Sequence, residues 1–205
     1  MRRPEFIARQ SGHPSGLLGK VIGWVMERET AEQNDAALAA LAVNPGDRIL
    51  EIGFGHGRTL ERLVAAAPAG LVAGLDHSSE MYATARRRCA PLLASGRLDL
   101  HLGNSRAIPY PDAHFDRVLA VHTLYFWDSP TEHLRELRRV MKGNGVCVLG
   151  FRPKEDPHAA SFPGAVYKFY SREAVRDLLF DVGFASIDIS ERVPGLVLAR
   201  AVKQD

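Results

Sequence analysis

Arg48-Ile49-Leu50-Glu51-Ile52-Gly53-Phe54-Gly55-His56-Gly57 is the stretch on which the fold turns. Arg48–Ile52 reads as a short β-rich run, and helix signals resume at Thr59. Glycines between a strand and a helix allow a sharp turn and let a ligand approach the backbone closely. A dinucleotide fingerprint would be G-x-G-x-x-G, with a pyrophosphate on the helix N-terminus. Here the third glycine, Gly57, comes one residue early and Arg58 stands in the dinucleotide position. A G-x-G-x-G loop makes no demand for a pyrophosphate and suits a smaller ligand whose amino-acid part lies against it. A purely structural turn is the competing reading.

Outward from this loop the chain alternates. Further strands are expected at Leu71–Leu75, Asp99–Leu102, Arg117–Val121 and Val146–Gly150, and helices at Thr59–Ala66, Ser79–Ala90, Thr131–Met141 and Arg172–Val182. Such β-α-β-α-β order predicts an α/β, doubly wound sheet, parallel in its core with helices on both faces. Arg117–Val121 is nearly continuous in apolar character, as a strand buried on both faces should be. Ser186–Ser190 and Leu196–Val202 are separated only by a short segment with Pro194-Gly195, so they are expected to pair antiparallel.

The 205 residues, 46% hydrophobic and 24% charged, are ordinary globular composition. With no linker or repeat, they are read as a single domain, residues 1–205. Residues 1–46 are read as an N-terminal helical arm or lid, and 47–205 as the donor-binding core. Within the arm, Leu17, Leu18, Val21, Ile22, Val25 and Met26 make one helical stripe, interrupted by Gly19, Lys20 and Gly23. The stripe is read as a helix on the main domain, a mobile lid, or a peripheral contact with a membrane or apolar substrate. A second helix is expected over Glu32–Ala42, burying Ala37, Leu38, Ala40 and Leu41. No run matches a secretory signal or a membrane span of ~20 residues. Cys89 and Cys147 are too few for a disulfide framework or zinc site. A cytoplasmic protein without metal is the expectation. The net charge of +2, from 26 basic and 24 acidic residues, disfavours a nucleic-acid partner.

The second strand ends at Leu75-Asp76. A carboxylate there, ~20 residues beyond the glycines, is where doubly wound folds hold ribose hydroxyls. His77 and Met81 would flank a base. At these residues, and at Gly103-Asn104-Ser105-Arg106-Ala107-Ile108-Pro109-Tyr110-Pro111-Asp112-Ala113-His114-Phe115-Asp116, the chain resembles class I S-adenosylmethionine-dependent methyltransferases. The likeness is greatest to the branch that methylates ubiquinone and menaquinone precursors at carbon. Arg135 to Gly145 is similar to that family's segment before its fifth strand, with Gly143-Asn144 where Pro-Gly is usual. The resemblance covers roughly residues 45–202 and implies a seven-stranded Rossmann-like sheet of order 3-2-1-4-5-7-6, strand 7 antiparallel. It also implies a set of cofactor contacts. Glu51, Gly53, Phe54, Gly55 and Gly57 would hold the methionine part of S-adenosylmethionine, Asp76 the ribose, and His77, Met81, Asn104 and Ser105 the adenine. Asn104 replaces the family's usual aspartate, and its amide oxygen can still accept from the adenine amino group.

The fourth strand ends Ala120-Val121-His122-Thr123-Leu124-Tyr125-Phe126-Trp127, at the switch point where ligands sit in open α/β sheets. His122 is the candidate catalytic base, with a polar contact to the donor as the alternative role. His13, Tyr125 and Tyr167 are candidate acceptor contacts, with Phe126, Trp127, Phe169 and Tyr170 as further walls. Arsenic methylation is disfavoured for want of converging thiolates. The leading expectation is methyl transfer to an O, N or C atom of a small-molecule acceptor, releasing S-adenosylhomocysteine. A donor-binding regulatory or assembly partner without catalysis is the alternative. A nicotinamide oxidoreductase is the third, against which the glycine spacing counts.

Overall fold

A computed structural model of the chain describes residues 30–204. His13 and the Leu17–Met26 stripe lie outside the described residues. The elements are α1 (Ala31–Leu41), β1 (Arg48–Ile52), α2 (Arg58–Ala66), β2 (Leu71–Asp76), α3 (Ser79–Arg88), α4 (Ala90–Ala94) and β3 (Leu98–Leu102). After these come β4 (Phe115–Val121), α5 (Pro130–Val140), β5 (Met141–Phe151), α6 (Arg172–Asp181), β6 (Phe184–Val193) and β7 (Leu196–Lys203). Short 3-10 turns occupy Leu124–Phe126 and Pro157–Ser161.

All seven strands form one sheet in the order β3-β2-β1-β4-β5-β7-β6. β1 pairs parallel with β2 and β4, with Glu51 opposite Gly74 on one side and Leu119 on the other. β7 runs antiparallel to both β5 and β6. The expected order and the reversed strand are therefore observed. One apolar layer gathers Leu50, Ile52, Val118, Leu134, Leu137 and Leu149. The opposite layer gathers Ile49, Leu60, Leu63, Leu119, Val148 and Leu198. Alternate residues of one strand thus face opposite layers, the period-2 consequence of a sheet covered on both sides. Each such aliphatic side chain contributes ~1.5–3 kcal/mol by leaving water.

α1 buries Ala37 and Leu41 in the second layer, whereas Leu38 and Ala40 are only half-buried. α2 follows the glycine loop directly. Its N-cap, Gly57, has φ +83, and a Cβ there would stand 3.1 Å from both Ala85 Cβ and Cys89 Sγ. Glycine at 57 is therefore required by the approach of α3 as well as by its own left-handed backbone.

Two local expectations are corrected. The helix expected to run unbroken over Ser79–Ala90 ends at Arg88, and α4 starts afresh with Pro91 in its first turn. A proline carries no N–H and so opens a helix more readily than it continues one. β5 begins at Met141, well before Val146, because Met141 pairs with Phe115 ahead of a register shift. Gly143-Asn144-Gly145 is thus an irregularity within a strand, with Asn144 at φ +60.

Candidate active site

The carboxyl ends of β1, β2, β3 and β4 converge on an open cleft of about 320 Å³. Its lining comprises Ile52 and Gly53 after β1, Leu75, Asp76 and His77 after β2, and Gly103, Asn104 and Ser105 after β3. Thr123, Phe126, Trp127 and Asp128 follow β4, and His133 comes from α5. The β1/β4 pair is the switch point of the sheet, where doubly wound folds bind ligands.

The glycine loop is shaped by close contacts. Gly53, Gly55 and Gly57 all have positive φ, at +73, +53 and +83. A Cβ at Gly53 would collide with the Thr123 methyl group, so the loop and the segment after β4 touch where only glycine fits. The Gly53 N–H donates to the Leu75 carbonyl at 2.8 Å, tying the β1 end to the β2 end.

Asp76 is buried, and its carboxylate accepts from the Gly55 N–H and from the Ser78 N–H, each at 2.9 Å. Burial pushes its pKa up, and these backbone donors oppose the rise. The His77 N–H donates to the carboxylate as well, and with about four acceptor sites it can still accept from a ligand hydroxyl. Glu51 lies beneath the loop at 6% exposure. Burial, reinforced by the neighbouring Asp76 charge, pushes its pKa up to about 8, against a lowering by the Thr59 hydroxyl. Glu51 Oε2 makes no hydrogen bond among the described residues. A buried oxygen in that state can be completed by a cationic group of a ligand. The glycine loop and the fixed Asp76 carboxylate are groups that could meet the amino-acid and ribose parts of S-adenosylmethionine.

Of the residues singled out from sequence, Gly53, Asp76, His77, Asn104 and Ser105 line the cleft, as do Phe126 and Trp127. Glu51, Gly55, Gly57, His122, Tyr125 and Tyr167 do not line it, nor do Phe54 and Met81, which are buried at 4% and 3% exposure. Met81 instead sits in the first turn of α3, its N–H capped by the Ser78 hydroxyl at 3.3 Å. Asn104 is exposed, and its Oδ1 accepts the Arg106 N–H at 2.9 Å.

His122 takes φ +58, an uncommon backbone state for a residue with a Cβ. Its Nε2 lies 2.6 Å from Gln33 Oε1 on α1, and its Nδ1 lies 3.0 Å from the Tyr125 hydroxyl. The Tyr125 oxygen in turn accepts the Arg152 N–H. Gln33 Oε1 only accepts, so Nε2 carries the proton and Nδ1 accepts from Tyr125. Burial, with a further push from the Arg152 charge, lowers the His122 pKa to about 4. The ring is neutral with both nitrogens engaged. Tyr125 and Tyr167 stand behind the cleft, in an aromatic group where Tyr125 lies 5.0 Å from Phe169 and Tyr167 lies parallel to Phe169 at 5.7 Å.

Thr123, Asp128, His133 and Gln33 were not anticipated. His133 is 3% exposed and stacks on Trp127 with centroids 4.8 Å apart. Its Nδ1 is 2.7 Å from Ser105 Oγ and its Nε2 3.2 Å from Asp128 Oδ1. Among the described residues no group of three or more His, Cys, Asp or Glu side chains is arranged to hold a metal. No helix there is long and apolar enough to cross a membrane.

Residues 50–149 match the methyltransferase domain family. The uncharacterized methyltransferase YdaC of Bacillus subtilis (strain 168) is 27% identical over 169 residues, 82% of this chain and 88% of that protein. Demethylmenaquinone methyltransferase of Symbiobacterium thermophilum is 36% identical over 112 residues, 53% of this chain but only 45% of that protein. The chain spans less than half the length of several other curated relatives. Among solved structures, a chain of the complex between the Haloferax volcanii Trm112 methyltransferase activator and a methyltransferase superposes with TM-score 0.76. That match has 20% identity and covers 100% of both chains. Matched domain, strand order and the glycine-loop cleft agree: residues 50–149 carry a methyltransferase domain, and the chain resembles class I S-adenosylmethionine-dependent methyltransferases, the demethylmenaquinone methyltransferases among them.

Proposed function

We propose that the chain transfers the methyl group of S-adenosylmethionine to an O, N or C atom of a small-molecule acceptor. The observation that carries this reading is the Asp76 carboxylate, fixed by the backbone N–H groups of Gly55, His77 and Ser78 at the end of β2, inside a cleft bounded by the open Gly53 loop. The bound donor supplies an electrophilic methyl carbon on a sulfonium. The protein's part is to orient: Asp76 accepts the ribose hydroxyls, the glycine loop and Glu51 hold the amino-acid part, and the Gly103–Ser105 end takes the base. Proximity and alignment of this kind can supply ~7–11 kcal/mol of a barrier. His77 lines the same wall, while Phe54 and Met81 act from below by packing the loop and α3.

His122, neutral and held by Gln33 and Tyr125, serves in this reading as a rigid polar contact beside the transfer site. For it to act as a base, one of its ring nitrogens must first be released. That arrangement favours an acceptor that needs little help in losing a proton. The aromatic group around Tyr125, Phe126 and Tyr167 supports an apolar, planar acceptor, and His13 remains a proposed contact from the arm. The proposal includes a single domain with 1–46 as arm or lid over a 47–205 core, a cytoplasmic setting, no metal and no nucleic-acid partner. Incubation with methyl-labelled donor and a panel of phenols, quinols and amines tests it. Label transfer with stoichiometric S-adenosylhomocysteine supports methyl transfer, whereas donor binding without any product would favour the binding-only alternative.

A further inference from the structure

The far end of the cleft carries a hydrogen-bond relay in which the donor reading gives Ser105 a place beside the base but gives Asp128 and His133 no role. Asp128, His133 and Ser105 come from three different segments and all line the cleft. Asp128 Oδ2 is paired with Arg106 Nη1 at 3.0 Å, and its Oδ1 accepts the Ser129 N–H at 3.0 Å. An ionised carboxylate so held can only accept, so the His133 Nε2 at 3.2 Å carries a proton. Burial lowers the His133 pKa, which leaves the ring neutral and Nδ1 without a proton. Stacking on Trp127 at an interplanar angle of 4° fixes the ring in that pose. Ser105 must therefore donate its hydroxyl hydrogen to Nδ1 across 2.7 Å. Its Oγ is left with lone pairs only.

We propose that Asp128 and His133 are positioning residues that turn the Ser105 hydroxyl into an obligatory acceptor for the exocyclic amino group of the donor's purine. Ser105 is thereby the residue that selects adenosyl over inosyl ligands. Asn104 is the weaker candidate for that task, being exposed and sharing its Oδ1 with the Arg106 N–H, whereas Ser105 is buried. The selectivity has a chemical basis: adenine presents an N–H donor at its 6-position, whereas hypoxanthine presents a carbonyl oxygen there. Two acceptors facing each other at the buried Ser105 leave both unpaired, and sites built to meet one hydrogen-bonding group reject an analogue lacking it strongly.

This inference rests on the donor reading, and the test separates the two. Calorimetric titration of the full chain with S-adenosylhomocysteine and with S-inosylhomocysteine measures the affinity ratio in wild type, Ser105→Ala and His133→Phe. Wild type is expected to favour the adenosyl ligand by at least about tenfold. Ser105→Ala removes the acceptor and narrows the ratio. His133→Phe keeps a ring against Trp127 but frees the Ser105 hydrogen to donate, so it narrows the ratio further and raises inosyl affinity. A merely structural role for His133 would weaken both ligands together and leave the ratio alone. An unchanged ratio in Ser105→Ala overturns the proposal, and that variant decides the matter even if His133→Phe does not fold. Binding of neither ligand to wild type overturns the donor reading itself.

Discussion

Glu51 sits at 6% exposure beside Asp76, and its behaviour with pH can be worked out from that placement. The carboxyl is raised from 4.5 to about 8, by burial first and by the Asp76 charge second. The folded protein therefore holds a proton that the unfolded chain gives up over the same range. The stability linked to that proton is full below pH 4.5 and is lost as pH rises towards about 8. At ~1.4 kcal/mol per pH unit, the whole rise is worth about 5 kcal/mol, a large part of a typical ~5–15 kcal/mol of stability. Glu51→Gln stays neutral throughout, and its amide oxygen can still accept from the Thr59 hydroxyl. The groups facing Glu51 are Asp76, Thr59 and, more distantly, the Cys89 thiol; the substitution leaves these side chains in place and removes the charge that Glu51 sets against Asp76 and Cys89. Guanidinium midpoints measured at pH 5, 7 and 9 should place the two proteins within about 1 kcal/mol of each other at pH 5. By pH 9 the variant should be the more stable by several kcal/mol. A difference that stays constant across the three pH values would refute the reasoning, because it would mean that Glu51 ionises at no cost in the folded state.

Other outcomes follow from the same geometry. Gly53→Ala places a Cβ against the Thr123 methyl group at φ +73, so it should lower the unfolding free energy by ~1–3 kcal/mol and abolish the thermal shift given by S-adenosylhomocysteine. Tyr125→Phe deletes the hydroxyl between His122 Nδ1 and the Arg152 N–H; two buried groups lose their partner, and a urea titration should show a loss of ~1–3 kcal/mol. Gln33→Leu removes the acceptor on His122 Nε2, and nitrogen-detected NMR of the imidazole should then show the proton redistributed between the ring nitrogens instead of fixed on Nε2.

Much of the fold was legible because local rules and tertiary demands coincide. Positive-φ glycines at 53, 55 and 57, apolar β4 and the short link before β7 each permit few alternatives. Where the reading slipped, two local rules competed. Gly143-Asn144-Gly145 has turn composition, yet Met141 finds Phe115 across the sheet and the strand starts early. Pro91 signalled a helix start that the longer helical run concealed. In the cleft, Gly53, Asp76, His77, Asn104 and Ser105 were legible because they follow strand ends in sequence. Gln33 and His133 were not, since each reaches its partner across a long separation: 89 residues to His122 and 28 to Ser105. His133 had one usable signal, its place at the start of the helix that follows Trp127-Asp128.

The account stands most directly on the Asp76 carboxylate as the anchor of an S-adenosyl ligand in the cleft. Titration calorimetry of S-adenosylhomocysteine against wild type and Asp76→Ala, with NAD as a control ligand, measures that claim. The account predicts saturable one-to-one binding to wild type, no binding of NAD, and an affinity at least about tenfold weaker in the variant. Equal affinity in the two proteins, or preference for NAD, would contradict it.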